Sequence, residues 1–151
     1  MKLAEALILR SDLNKKIQSL KERIGRFSVV QQGDLPHEDP EDIFRQAHSV
    51  SKSLQDLVVK IEQSNIVAKI KDGRTIAVAL AERDNLIQLH AFVGAAIGGT
   101  KKEPERYGVK EIKWVSTISV KDYQKRLDDY SKSIRDINVM IQEANWNFEM
   151  I

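Results

Sequence analysis

From Leu3 onward, apolar side chains return at alternating intervals of three and four: Leu3, Ala6, Leu13, Ile17, Leu20, Ile24 and Phe27, with Arg10 as the one charged member of the series. A recurrence near 3.5 residues keeps one stripe of an α-helix turned toward a neighbour, and predicts a first helix from about Leu3 to Arg26. A second seam runs through Ile43, Ala47, Val50, Leu54, Leu57, Ile61, Ser64 and Ala68. Asp39, Pro40, Glu41 and Asp42 announce its start: a capping acid, a proline in the first turn, then acids that suit the positive end of the helix dipole. A last seam of Tyr123, Leu127, Tyr130, Ile134, Ile137, Ile141, Ala144 and Phe148 follows a capping-box-like Ser119 and Asp122. Helix over residues 120–147 would be a rod about 42 Å long.

The third helical stretch breaks the rule. Ile76, Ala79, Leu80, Leu86, Ile87, Leu89, Phe92, Val93, Ala96 and Ile97 cover more than one face, which predicts burial on several sides. Asp72 and Gly73 make the turn before it and Thr75 is its expected N-cap. Residues 27–31 and 111–118 read as short extended segments that pair as a ribbon. No internal repeat or linker stands out. The expected fold class is all-α: an elongated antiparallel four-helix bundle with coiled-coil-like heptads and a small two-stranded β-ribbon at one end, forming a single domain over residues 1–151.

Composition narrows the function classes. The absence of cysteine excludes disulfides, thiol nucleophiles and thiolate metal sites, and fits a reducing cytoplasm. With 42% apolar and 30% charged residues the chain suits a globular domain, and a net charge of +2 does not by itself imply nucleic acid. The start, MKLAEALILRSDL, has too short an apolar stretch for a secretory signal. Glu82, Arg83 and Asp84 cut the longest apolar tract, so no stable membrane insertion is expected.

GAAIGGTK, residues 94–101, has the glycine frame of a phosphate loop with the final Lys and Thr in reversed order. It also leaves a helix rather than a strand, so it reads as a helix C-terminus. Gly94 and Gly98, with Ala91 and Ala95 on an adjoining line, would let helix backbones approach closely, within one chain or between subunits. HEDPED, residues 37–42, offers oxygen ligands without the spacing of a calcium loop, and capping accounts for its acids. His37, His48 and His90 never fall at helical ligand spacing. Arg10, Arg83 and His90 lie on or beside apolar stripes, and Glu5, Glu82 and Asp84 are the nearby carboxylates that would pair with them in a buried polar cluster fixing register or subunit contact. Lys15, Lys16, Lys21, Arg23 and Arg26 make the first helix basic, which reads as a solvated face, with contact to nucleic-acid phosphates as the alternative.

The opening MKLAEALILRSDLNKKIQSLKERI, the DGRTIAVALAERDNL turn and helix, RYGVKEIKWVSTISV and the ending IQEANWNFE together resemble the septicolysin-like family of small bacterial proteins, departing from it at the apolar GAAIGG. The resemblance implies a mostly helical homo-oligomer with no transferable catalytic residues, and the family's name suggests a pore-forming cytolysin. The reading carried forward is a cytoplasmic, non-enzymatic, self-associating helical protein with no cofactor or metal. Membrane damage and nucleic-acid binding through the first helix stand as alternatives.

Overall fold

The structure, a computed structural model, describes residues 1–101 and 113–151. Among the described residues there are four helices: α1 (Leu3–Phe27), α2 (Pro40–Val67), α3 (Ile76–Gly99) and α4 (Val120–Asn147). Local chemistry sets their starts. Asp39 accepts a hydrogen bond from the Glu41 amide ahead of Pro40, Thr75 accepts from the Val78 amide, and Ser119 accepts from the Asp122 amide. At α1 the Glu5 carboxylate accepts from the Lys2 amide at 2.7 Å. The glycine-rich stretch ends α3: the Thr100 amide and hydroxyl both donate to the Ile97 carbonyl.

The three regular seams are turned inward along their whole lengths. Leu3, Ala6 and Leu20 on α1, Ile43, Val50, Leu57, Ile61 and Ser64 on α2, and Ile137, Ile141 and Ala144 on α4 are buried. The helices pair as two hairpins, α1 with α2 and α3 with α4, whereas α1 meets α4 and α2 meets α3 over short stretches and the backbones of the remaining pairs stay apart. All four helices meet in one hub, where Leu3, Ala6, Leu57, Ile61, Ile76, Ala79, Ile137 and Ile141 form a common core. Burying each large aliphatic side chain there contributes about 1.5–3 kcal/mol. A second cluster of Leu20, Ile43 and Val50 belongs to the α1–α2 hairpin alone.

The hub has two joints of the same design. In one, the Ile76 amide donates to the Ala68 carbonyl and the Ile70 amide to the Arg74 carbonyl, both at 2.9 Å. In the other, the Leu3 amide donates to the Phe148 carbonyl and the Met150 amide to the Met1 carbonyl, again at 2.9 Å. Each joint holds one isolated antiparallel bridge, Lys69 with Thr75 and Lys2 with Glu149. The covalent joint turns at Gly73, whose φ of 92° lies in the left-handed region that glycine tolerates.

The matching joints uncover an internal repeat. SKSLQDLVVKIEQSN (51–65) on α2 corresponds to SKSIRDINVMIQEAN (131–145) on α4, with the N-caps Asp39 and Ser119 also in register. Likewise LAEALILRSDL (3–13) on α1 corresponds to IAVALAERDNL (76–86) on α3, and the alignment continues through Leu20 with Val93 and Gly25 with Gly98. The expectation that no repeat is present is therefore corrected. The β-ribbon is corrected too: residues 28–31 and 113–118 form no strand, and the isolated bridges lie at the hub instead. Residues 111 and 112 of the expected second strand lie outside the described residues.

Candidate assembly surface

The repeat makes α1 an internal reference for α3. The inner stripe of α3, Ile76, Ala79, Arg83, Leu86, His90, Val93 and Ile97, corresponds position by position to the α1 seam of Leu3, Ala6, Arg10, Leu13, Ile17, Leu20 and Ile24. Each inner-stripe residue is buried or half-buried. On the opposite side of α3, at the same alternation of three and four, runs an outer stripe of Val78, Ala81, Asn85, Gln88, Phe92, Ala95 and Gly99, all exposed. The corresponding α1 positions are Glu5, Ile8, Asp12, Lys15, Ser19, Glu22 and Arg26, also exposed. One fold position thus carries charge on α1 and none on α3.

Neutral side chains on an exposed helix face need an explanation that an isolated surface leucine does not. Phe92 is 76% exposed and Val78 52%, with Ile87 and Leu89 flanking the stripe and also exposed. Of the several sides on which α3 is expected to be buried, the chain itself covers one: α3 packs on α4 along one face and touches α2 near the hub.

Of the small residues singled out in the sequence, Ala95 lies on the outer stripe and the exposed Ala91 and Gly98 border it. Gly94 does not: a side chain built there would point to Leu127 of α4, 3.9 Å away. The sequence reading missed the rest of the stripe because it counted the apolar residues of α3 as one broad surface. Two interleaved series of threes and fours were the available signal.

The proposed polar cluster is not assembled. Arg10 and Arg83 occupy the same repeat position on α1 and α3, helices whose backbones stay apart. Arg83 pairs with its neighbour Asp84 at 2.8 Å, Glu82 pairs with Arg74, and Glu5 is taken up at the start of α1. His90 lies half-buried on the inner stripe. The acids of HEDPED are used structurally: Glu38 pairs with Arg23, Asp39 caps α2 and Asp42 pairs with Arg45, while His37 meets Phe27 edge to face. Hydrogen bonding to Arg23 lowers the Glu38 carboxyl below its ordinary 4.5. Among the basic residues of α1, Lys15 also has an acidic partner, Asp12 at 3.6 Å. Among the described residues no helix is long and apolar enough to cross a membrane.

A cleft of about 310 Å³ opens beside the covalent joint, lined by Lys69, Lys71, Met140, Glu143 and Phe148 among others. Its counterpart beside the hydrogen-bonded joint is partly filled, since the Ile151 amide donates there to the buried Ser64 hydroxyl at 3.2 Å.

No curated protein matches the chain. Among solved structures, the crystal structure of a functionally unknown conserved protein from Corynebacterium diphtheriae is similar, with a TM-score of 0.91 and 31% identity, over 100% of this chain and 99% of that one. Nothing in these matches points to septicolysin, so that resemblance is corrected, and the cytolysin reading built on its name loses its basis. The model that does match, over residues 10–150, is DUF6847, a family of unknown function, and the chain belongs to that family.

Proposed function

We propose that the protein works as a non-catalytic, self-associating helical module whose α3 outer stripe is covered by another copy of the chain. The observation that carries this reading is the uncharged outer stripe of α3 set against the charged stripe at the same repeat positions of α1. A monomer in water gains nothing from removing charge at those positions, while an interface does, because charged side chains are costly to strip of water. The alternation of three and four along the stripe favours a coiled-coil-like contact.

Light scattering across a dilution series tests it. The native chain is expected to hold a defined multiple of 17.2 kDa on dilution to micromolar concentration. Phe92→Glu should weaken association by at least about 30-fold, the equivalent of roughly 2 kcal/mol for a buried aromatic anchor, with helix content by circular dichroism unchanged. A native chain that is monomeric at every concentration would overturn the proposal.

A further inference from the structure

We infer that the cleft beside the covalent joint binds a small zwitterion with an apolar body, a free α-amino acid with an apolar side chain. The other joint supplies the reference, because its flank is the same place in the repeat. The floor of the cleft is one face of the end of α4, with Met140, Ala144 and Phe148, and its wall is the extended chain from Lys69 to Lys71. Met140 and Phe148 pack half-buried against the hub core, and Ala144 is buried. The corresponding positions on the α2 side are Lys60, Ser64 and Ala68. An ammonium is thus exchanged for a thioether, a hydroxyl for a hydrogen and a methyl for a benzyl group, so the apolar floor belongs to the cleft alone.

The exchange of Ser64 for Ala144 also reaches the backbone. Lys71 stands at the repeat position of Ile151, whose amide donates to the Ser64 hydroxyl. Ala144 has no oxygen to offer the Lys71 amide, and a ligand oxygen can take that place. With the ammonium groups of Lys69 and Lys71 on the same wall, that side of the cleft suits a carboxylate. The α4 side has the opposite character. Glu143 and Asn147 lie one turn apart there, at the negative end of the helix dipole, and suit an ammonium group.

The charges of the cleft are not used within the chain. Among the described residues Lys69, Lys71 and Glu143 enter no ion pair, while the charges of the adjoining joints do, Arg74 with Asp72 and Lys2 with Glu149. A carboxylate and an ammonium on one carbon, with an apolar side chain, match the wall, the α4 side and the floor together. A plain carboxylate would leave Glu143 without a partner, and a plain amine would leave the two lysines without one. The volume of about 310 Å³ lies at the low end of the roughly 300–1,000 Å³ of ligand pockets, which limits the occupant to a small molecule.

Titration of the full chain with L-leucine and L-phenylalanine, followed by amide NMR shifts, tests the site without involving the outer stripe of α3. Saturable shifts are expected, centred on residues 69–71 and 140–148. Isocaproate and isoamylamine, which each keep one charge of leucine, should bind at least about tenfold more weakly than L-leucine. The paired substitutions Met140→Lys and Ala144→Ser copy the residues of the other flank, so circular dichroism should be unchanged. They put a charge on the floor and return an acceptor to the Lys71 amide, and should weaken binding at least about tenfold. The proposal is overturned by the absence of saturable shifts with both amino acids up to about 10 mM, by shifts centred elsewhere, by isocaproate or isoamylamine binding as tightly as L-leucine, or by unchanged affinity in the folded double variant.

Discussion

Ile61 and Ile141 occupy matching positions on α2 and α4, and both are buried in the hub. Truncating one of them removes apolar contacts and leaves a cavity that the surrounding helices can only partly close. Ile61→Ala should therefore cost about 2–5 kcal/mol in chemical denaturation, whereas Val59→Ala, at a position 50% exposed, should stay within about 0.5 kcal/mol. At this scale the seams of α1, α2 and α4 were legible in the sequence, since a strict alternation of threes and fours leaves one side of a helix to bury. The grouping of Arg10 with Arg83 was not sound, and the reason is physical. Both interrupt an apolar seam because they are two copies of one position, and copies of one position on separate hairpins are held apart by the hub.

The elements differ in how much of themselves they commit within the chain. α1 and α4 each bury one stripe and charge the other, while α3 buries one stripe and leaves a second one neutral. Sequence reading registered the breadth of that apolar surface as burial on several sides, and within the chain only α4 and the end of α2 are available to cover it. The glycines of α3 separate the two faces. Gly94 turns toward α4, and a methyl group there would sit at ordinary contact distance from Leu127. Gly94→Ala should thus stabilise the fold by about 0.5–1 kcal/mol, through helix propensity and a less flexible unfolded chain. A thermal melt should show Tm rising by about 2 °C with the mass in solution unchanged, since Gly94 is off the outer stripe.

For the molecule as a whole, the hub is the unit of cohesion, and part of its stability depends on carboxylates. A hydrogen bond and ion pair with Lys2 at 2.9 Å hold the Glu149 carboxyl below its ordinary 4.5. Arg74 does the same for Asp72, and Arg23 for Glu38. A carboxyl lowered in the folded state contributes stability that is complete above its unfolded value and is lost as pH falls through the folded one. The urea midpoint should be flat from neutrality to about pH 5 and fall below that, and Glu149→Gln should make the fall shallower. The repeat escaped the sequence reading because the connections inside its two hairpins differ in length, residues 28–39 between α1 and α2 against residues 100–119 between α3 and α4. No single period then aligns both helices at once, although SKSLQDL and SKSIRDI were in plain view. The two joints of the hub carry one further consequence. One is a covalent turn and the other is closed by hydrogen bonds between chain ends, yet their geometry is the same, so the backbone traces a nearly closed circuit. Opening that circuit at the Gly73 turn and sealing it between Ile151 and Met1 would give a circular permutant in which α3 and α4 come first and every helix keeps its neighbours.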